Sequence, residues 1–327
     1  MFLLLALSSA ALALVMTPVI GRVATRLGLV DAPGGRKVHA HSVPRLGGLA
    51  VVLAASLAVF LVIRAGAVQV DSSAWTTMRP FFIAGGMIFL VGLADDVRGL
   101  GVVPKLLIEF AAAAIMMQSG LLIERITILD WTLPLGWAAW PVTMTWLVGL
   151  TNAFNLIDGV DGLAAGITAI AGTACGAILV ARGHAPEAMM LAAFVGASIG
   201  FLFFNFEPAS VFLGDSGSLL AGFLLAATAV TGWQKGATAL AAGVPILIFA
   251  LPIADSALAL TRRILARPAT GRSMRATLRQ IAQPDREHIH HRMLARGWSV
   301  RRTVLILYGV TAILSALALA TAEVPTP

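Results

Sequence analysis

Short clusters of carboxylate and amide side chains interrupt an otherwise apolar sequence, and their composition suits a hard cation. Three clusters supply most of the candidate ligands and acid–base groups: Asp95 and Asp96; Asn152, Asn155, Asp158 and Asp161; and Asn205 with Asp215. Oxygen ligands with little nitrogen or sulfur favour Mg²⁺, with Mn²⁺ as the second candidate. Because bound magnesium usually keeps positions for substrate phosphates, these residue types indicate phosphoryl chemistry.

The spacing within two of these clusters limits what each residue can do. Asp95 and Asp96 are adjacent and cannot share one helix face, so we expect one to point into a site and the other to cap or orient. Asn155, Asp158 and Asp161 repeat every three residues, which on a helical turn places them roughly on one stripe. The intervening glycines also suit an open loop. An exposed helix-end pair and Asx caps at a helix junction are the alternative interpretations.

The segment 214–218, Gly-Asp-Ser-Gly-Ser, begins a predicted helix with small residues, hydroxyls and one acid, Asp215. This arrangement suits a divalent ion or a phosphate near a helix N-terminus. A plain Asp N-cap is the simpler interpretation.

A second group of polar residues could bind phosphate groups. Its members are Lys37, His39, Lys105, His288, His290, His291 and Arg292. The histidine spacing matches no common zinc site, and the single cysteine, Cys175, lies in an apolar run where we expect it to be a packing residue. The histidines therefore either bind phosphate or lie on a solvated face.

The composition is that of a polytopic membrane protein. Of 327 residues, 58% are hydrophobic and only 12% are charged, and the mean hydropathy is +0.90. Apolar stretches in a bilayer must be helices. We predict an all-α protein with a single transmembrane domain, 1–327, and about ten helices, near 2–21, 46–66, 80–95, 104–122, 138–155, 162–181, 187–204, 216–232, 236–261 and 303–322. The first stretch lacks a basic segment before it, so we expect a retained helix and not a signal peptide.

The distribution of basic residues predicts the orientation. Loops after odd-numbered helices carry 18 of the 23 lysines and arginines, so the positive-inside rule makes these loops cytoplasmic and places both termini outside. The net charge of +7 is thereby explained by topology, and binding to nucleic acid is not required. All the polar clusters lie in these loops, near 22–45, 95–105, 152–162, 205–216 and 262–302. We expect them to form one composite site at the cytoplasmic face, because ionisable groups at membrane depth usually mark function.

The motifs that carry these residues resemble those of one enzyme superfamily. RKVHAHSVPRLGG, the Asp pair, NAFNLIDGVDGLA, FLGDSGS and DREHIHHRM occur in the order and loops typical of the polyprenyl-phosphate N-acetylhexosamine-1-phosphate transferases. The resemblance is nearest to the UDP-N-acetylglucosamine:undecaprenyl-phosphate branch, in glycosyltransferase family 4. It covers almost the whole chain.

The resemblance implies a role for each matching residue. Asp95 and Asp96 match an acidic pair that activates or positions the polyprenyl phosphate, with Asp158 as a third catalytic candidate. Asn155, Asp158 and Asp161 match the nucleotide-sugar and metal loop, and Asp215 matches the principal magnesium ligand. Substrate-binding roles are implied for the following residues: Lys37, His39, Lys105, Asn152, Asp161, Asn205, His288, His290, His291 and Arg292.

The implied reaction transfers a sugar 1-phosphate, foremost N-acetylglucosamine 1-phosphate, from a UDP-sugar to undecaprenyl phosphate and releases UMP. Direct attack of the acceptor phosphate and a covalent aspartyl-phosphate route both remain open. Such enzymes begin the membrane steps of O-antigen, exopolysaccharide or cell-wall polymer synthesis at the bacterial inner membrane. The Gly/Ala-rich helix faces permit a homodimer without requiring one.

Three positions depart from the pattern or stand apart from it. Glu109 replaces an uncharged polar residue, and we expect it to pair with Lys105 at i, i+4. The arginine-rich loop 266–283 is longer than in the family, near the presumed sugar end of the site. Asp255 is expected to be a structural contact between helices.

Two other functions fit the sequence less well than this transferase. The translocase of UDP-N-acetylmuramoyl-pentapeptide is disfavoured by the Val43–Gly48 and His288–Arg292 motifs. An ion-coupled transporter is disfavoured because the acids lie at one face and no internal repeat is visible.

Overall fold

The chain is described here from a computed structural model, which covers residues 1–31, 42–67, 72–128, 131–234, 243–265 and 288–322. Twelve α-helices lie within these ranges: α1 (Phe2–Arg26), α2 (Gly47–Arg64), α3 (Ser72–Arg98), α4 (Val102–Gln118), α5 (Ala139–Ile157), α6 (Leu163–Ala181), α7 (Ala185–Asn205), α8 (Gly214–Gln234), α9 (Gly243–Ile248), α10 (Ala250–Leu265), α11 (Ile289–Ala295) and α12 (Val300–Thr321). A single 3₁₀ turn, Gly136–Ala138, precedes α5.

The helical prediction is confirmed, and within the described ranges seven helices are long and apolar enough to cross a membrane: α1, α2, α3, α6, α7, α8 and α12. The ten predicted apolar stretches coincide with helices, except that the ninth, 236–261, is described only from residue 243 and there forms two helices, α9 and α10. The helix α4 has 17 residues, short for a membrane span. The number of ten spans and the placement of the termini stay predictions.

Two short antiparallel pairs of strands were not predicted. Strands β1 (Val30–Asp31) and β2 (Val43–Pro44) pair at the foot of the first loop, and β3 (Arg125–Ile128) pairs with β4 (Trp131–Pro134) between α4 and α5. The first pair is joined to the segment between α7 and α8, because the backbone N–H of Phe212 donates to the Pro44 carbonyl at 2.8 Å.

Small residues let the helices approach one another closely. On α7, Gly196 and Gly200 lie one turn apart with their Cα atoms against the backbone of Ala6 and Ala10 on α1, so a side chain at either glycine would overlap that backbone. Such small-residue faces are the usual means of close packing between helices in lipid, where van der Waals contact drives association. Helix α1 therefore packs tightly on α7 and also on α2.

Small residues also bring α2 and α3 into close contact with the beginning of α8. A Cβ atom at Gly92 of α3 would lie 2.6 Å from the Cα atom of Ser216, and one at Gly48 of α2 would overlap the backbone of Gly217. Because α3 ends at Arg98 and α8 begins at Gly214, this close packing places the end of α3 beside the N-terminus of α8. The two predicted acidic clusters on these helices therefore meet.

Candidate active site

Lys105 lies between two carboxylates that are far apart in sequence. Its Nζ atom is 2.7 Å from Oδ2 of Asp215 and 3.5 Å from Oδ1 of Asp95. The three side chains come from α4, α8 and α3, and each is only about one-fifth exposed. Partial burial of two carboxylates beside one ammonium group leaves excess negative charge, so this place favours a further cation.

The two adjacent aspartates have different partners, as their spacing predicted. The carboxylate of Asp96 accepts hydrogen bonds from the backbone N–H groups of Asp215 (2.8 Å) and Ser216 (3.0 Å) and from the Ser216 hydroxyl (2.6 Å). It therefore caps the N-terminus of α8 from outside that helix, where a negative charge is stabilised by the helix dipole. Asp95 accepts from the Leu100 N–H at 2.8 Å and faces Lys105.

Polar residues at the C-terminal end of α5 complete the surroundings of Asp215. The Asn155 side-chain amide donates to Oδ1 of Asp215 and to the Ser218 hydroxyl, both at 3.0 Å. The carboxyl of Asp158 lies by the Gly214 backbone N–H, and burial raises its pKa well above the ordinary value, with the negative charge of Asp215 adding to the effect. The structure thus brings six predicted site residues into one group: Asp95, Asp96, Lys105, Asn155, Asp158 and Asp215.

The segment that carries Asp158 and Asp161 is held in place by groups outside it. Gly162 adopts a left-handed conformation with φ of +78°. Its N–H donates to Oδ1 of Asn205 at 3.1 Å, and its carbonyl accepts from the Tyr308 hydroxyl at 2.5 Å. Asp161 accepts from the Ala209 N–H at 2.8 Å.

These bonds give three residues a positioning role. Asn205 is buried, and its amide also donates to the Val211 carbonyl at 2.9 Å. Direct contact of Asn205 or Asp161 with a substrate stays a prediction. Tyr308 was not found by sequence reasoning; it is the single tyrosine in the chain, on the last helix, and only its polar hydroxyl in an apolar helix could have signalled a role.

The expected pair of Lys105 and Glu109 is wrong. Lys105 is directed to Asp215 and Asp95, whereas the Glu109 carboxylate accepts a hydrogen bond from the Asn152 side-chain amide. Asn152 also donates to the Val148 carbonyl at 2.9 Å. The i, i+4 rule failed because each side chain takes its partner from another helix.

The histidine motif is folded against the same segment. His288 Nδ1 is 2.8 Å from Oδ2 of Asp255, whose other oxygen accepts from the Ile289 N–H at 2.6 Å. Asp255 is therefore a contact between elements, as expected, and it anchors α11. His290 lies against Gly159, since a Cβ there would be 3.3 Å from its Nε2 atom.

His288 and His290 are buried, with 3% and 2% of their surface exposed, so a solvated face is excluded for these two. Burial lowers the pKa of His290 to about 4, which keeps it neutral near pH 7. His291 is partly buried and its ring lies tilted beside that of His290, with 4.3 Å between the ring centroids, while Arg292 is exposed. Lys37 and His39 lie outside the described residues, and their roles stay predictions.

The donor atoms at this site suit magnesium better than a softer metal. The Asp215 carboxylate lies among carboxylate, amide and hydroxyl groups, and across the described residues no three His, Cys, Asp or Glu side chains form a closed metal site. That arrangement fits an ion held by one or two carboxylates whose remaining positions are filled by water and phosphate oxygens. The Lys105 ammonium group already places one positive charge against the Asp215 carboxylate.

Comparison with known proteins points to one family. Residues 78–233 match glycosyl transferase family 4. The chain is 35% identical to the probable undecaprenyl-phosphate N-acetylglucosaminyl 1-phosphate transferase of Bacillus subtilis, across 90% of this chain and 78% of that protein. It is 33% identical to the decaprenyl-phosphate N-acetylglucosaminephosphotransferase of Mycobacterium tuberculosis, across 93% and 78%.

A more distant relative has the same type of name. The undecaprenyl-phosphate alpha-N-acetylglucosaminyl 1-phosphate transferase of Escherichia coli is 26% identical, across 90% of this chain and 77% of its own length. The similarity therefore extends over nearly the whole chain, well beyond the acidic motifs. Together with the acidic site, it confirms the resemblance seen in the motifs: this chain belongs to glycosyl transferase family 4.

Proposed function

We propose that this protein transfers N-acetylglucosamine 1-phosphate from UDP-N-acetylglucosamine to undecaprenyl phosphate and releases UMP. The observation that carries the proposal is the joining of Asp95, Lys105 and Asp215 from three helices into one charged site. The names of the relatives support a polyprenyl phosphate as acceptor and N-acetylglucosamine 1-phosphate as the transferred group.

The reaction exchanges one phosphorus–oxygen bond for another. An oxygen of the acceptor phosphate forms a bond to the β-phosphorus of the nucleotide sugar. The bond from that phosphorus to the bridging oxygen breaks, and UMP leaves with the bridging oxygen and its electron pair. Any proton left on the acceptor phosphate passes to a carboxylate of the protein.

The geometry supports Asp95 as the carboxylate that receives this proton. Asp96 is already bonded to the N-terminus of α8, whereas Asp95 faces the cation Lys105. Lys105 stabilises the negative charge that phosphoryl transfer gathers on the phosphate oxygens. Direct attack needs no covalent intermediate on the protein. An aspartyl-phosphate formed on Asp158 is the alternative route.

Asp215 and Asn155 would hold magnesium, or manganese in its place. A bound divalent ion offsets charge on the pyrophosphate and orients it. Asp96 fixes the backbone of Asp215, and Asn155 fixes its carboxylate, so the ligand oxygens are positioned before any substrate arrives.

We further propose that the site faces the cytoplasm at the bacterial inner membrane, in a chain with about ten spans and both termini outside. The distribution of basic residues supports this orientation. The lipid product would begin O-antigen, exopolysaccharide or cell-wall polymer synthesis, and the protein could act as a homodimer.

The test is UMP formation by the purified protein with undecaprenyl phosphate, Mg²⁺ and a panel of UDP-sugars. We expect turnover with UDP-N-acetylglucosamine and its loss on chelation or in Asp215→Asn. Glu124→Gln is the matched control, because Glu124 is an exposed carboxylate in the loop between α4 and α5, away from this site. Absence of UMP with every sugar, from folded protein, would refute the proposal.

A further inference from the structure

A carboxylate one turn beyond Lys105 is buried without full pairing. Glu109 is 1% exposed, and its Oε2 atom accepts from the side-chain amide of Asn152. Its Oε1 atom is buried and has no hydrogen-bond partner among the described residues. Such a group is costly to bury and calls for an explanation, because an unpaired polar atom loses its hydration without compensation.

The contact with Glu109 fixes how the Asn152 amide is turned. The Nδ2 group of Asn152 donates one hydrogen to Glu109 and the other to the Val148 carbonyl at 2.9 Å. A backbone carbonyl can only accept, so the NH₂ group must occupy this side whatever the protonation of the carboxyl. The Asn152 carbonyl oxygen is left as the atom available to a ligand, and it can only accept.

The position of Asn152 places that oxygen beside the active site. Asn155, one turn later on the same stripe of α5, donates to Asp215 at 3.0 Å. Glu109 in turn lies one turn after Lys105 on α4. Because the Asn152 carbonyl oxygen can only accept, it suits a hydroxyl or amide N–H group of a ligand and not a phosphate oxygen, which also accepts.

We propose that Glu109 is a positioning residue that turns the Asn152 carbonyl oxygen toward a hydroxyl or N–H group of the nucleotide sugar. This rests on the proposed function. Two parts of that substrate offer such groups, the uridine, through its ribose hydroxyls and its uracil N–H, and the N-acetylated sugar; neither the phosphates nor the polyprenyl chain does. Glu109 therefore acts in recognition of the donor and not of the lipid acceptor.

Two conservative changes at this position should weaken donor binding to different extents. Glu109→Gln keeps the length and a carbonyl oxygen that can accept from Asn152, whereas Glu109→Asp keeps the charge and is one methylene too short to reach it. We expect Glu109→Asp to weaken binding of UDP-N-acetylglucosamine about tenfold, the loss of one hydrogen bond, and Glu109→Gln to weaken it about threefold or less. The KM for undecaprenyl phosphate should not change in either.

A third variant tests whether Glu109 acts through Asn152. If it does, Glu109→Asp combined with Asn152→Ala should bind the nucleotide sugar no more weakly than Asn152→Ala alone, a non-additivity that general destabilisation would not produce. Binding is measured by calorimetry in detergent with Mg²⁺, using UMP and UDP-N-acetylglucosamine as separate ligands. A loss seen with UMP as well assigns the contact to the uridine, and a loss seen only with the sugar nucleotide assigns it to the sugar.

The proposal is overturned by any of three results. These are wild-type binding in Glu109→Asp, a greater loss in Glu109→Gln than in Glu109→Asp, or additive losses in the double variant. Wild-type protein is the internal reference. Donor binding without UMP formation in the wild type would refute the proposed function while leaving the positioning role measurable, so the two failures are distinguishable.

Discussion

Replacing each of the adjacent aspartates separately should damage different properties. Asp96 accepts three hydrogen bonds, at 2.8, 3.0 and 2.6 Å, from the first residues of α8. Asp96→Ala removes an N-cap and a negative charge at a helix N-terminus, and we expect a loss of about 2 kcal/mol in the free energy of unfolding. Asp96→Asn keeps one acceptor oxygen and should lose about half of that.

Asp95→Asn should behave in the opposite way. The amide oxygen can still accept from the Leu100 N–H, so we expect the melting temperature to stay close to that of the wild type. Loss of the carboxylate that receives a proton should lower kcat by a factor of about 10² to 10⁴. Helix α8 remains capped in this variant, because Asp96 is intact.

The assay combines thermal unfolding in detergent with UMP release under saturating substrates. We expect Asp95→Asn to be stable and nearly inactive. We expect Asp96→Ala to be unstable and to retain activity in proportion to its folded fraction. Turnover of Asp95→Asn at the wild-type rate would refute the proton-accepting role of Asp95. A fully stable Asp96→Ala with no turnover would equally contradict the capping role and assign the chemistry to Asp96.

Two further changes test the parts that hold the site. Tyr308→Phe removes the hydrogen bond to the Gly162 carbonyl while keeping the ring. We expect a loss of about 1 kcal/mol in the free energy of unfolding together with a several-fold higher KM for the nucleotide sugar. Unchanged kinetics would mean that Gly162 is held in place without this hydrogen bond. His290 has a pKa lowered to about 4 by burial, below its unfolded value, so the stability that it contributes is present above about pH 6.5 and is lost as the pH falls toward 4. The melting temperature should fall over this range in the wild type and fall less in His290→Gln, and equal falls would contradict the assignment.

The apolar pattern predicted the helices because the bilayer imposes one solution on apolar stretches of about 20 residues. Helix α7, for example, was predicted at 187–204 and spans Ala185–Asn205. The ninth stretch illustrates the limit of this reasoning, since 236–261 is predominantly apolar but α9 ends at Ile248 and α10 begins at Ala250. Hydropathy measures the length of an apolar run and carries no information on a break within it.

The β3–β4 hairpin was missed for a related reason. Its strands have only four residues each, and the residues between them lack the Asn-Gly or Asp-Gly pair that signals a tight turn. Loop length alone gave no ground for predicting strands there.

Within the site, the residue types were predicted but most of their partners were not. Adjacency was enough to divide Asp95 from Asp96, because successive residues point to different sides of a helix. In contrast, Glu109 pairs with Asn152 across 43 residues and Tyr308 with Gly162 across 146. Local spacing rules describe neighbours on one helix, so contacts of this kind appear only once the helices are packed.

The central claim is that the sugar and its phosphate move together, and an isotope placed on the β-phosphorus tests it most directly. Purified protein is incubated with UDP-N-acetylglucosamine labelled with ³²P at the β-phosphate, undecaprenyl phosphate and Mg²⁺, and the lipid and nucleotide products are separated. The account predicts label in the lipid fraction and unlabelled UMP, both absent in Asp215→Asn. Labelled UDP beside an unlabelled glycolipid would show transfer of the sugar alone and contradict the account.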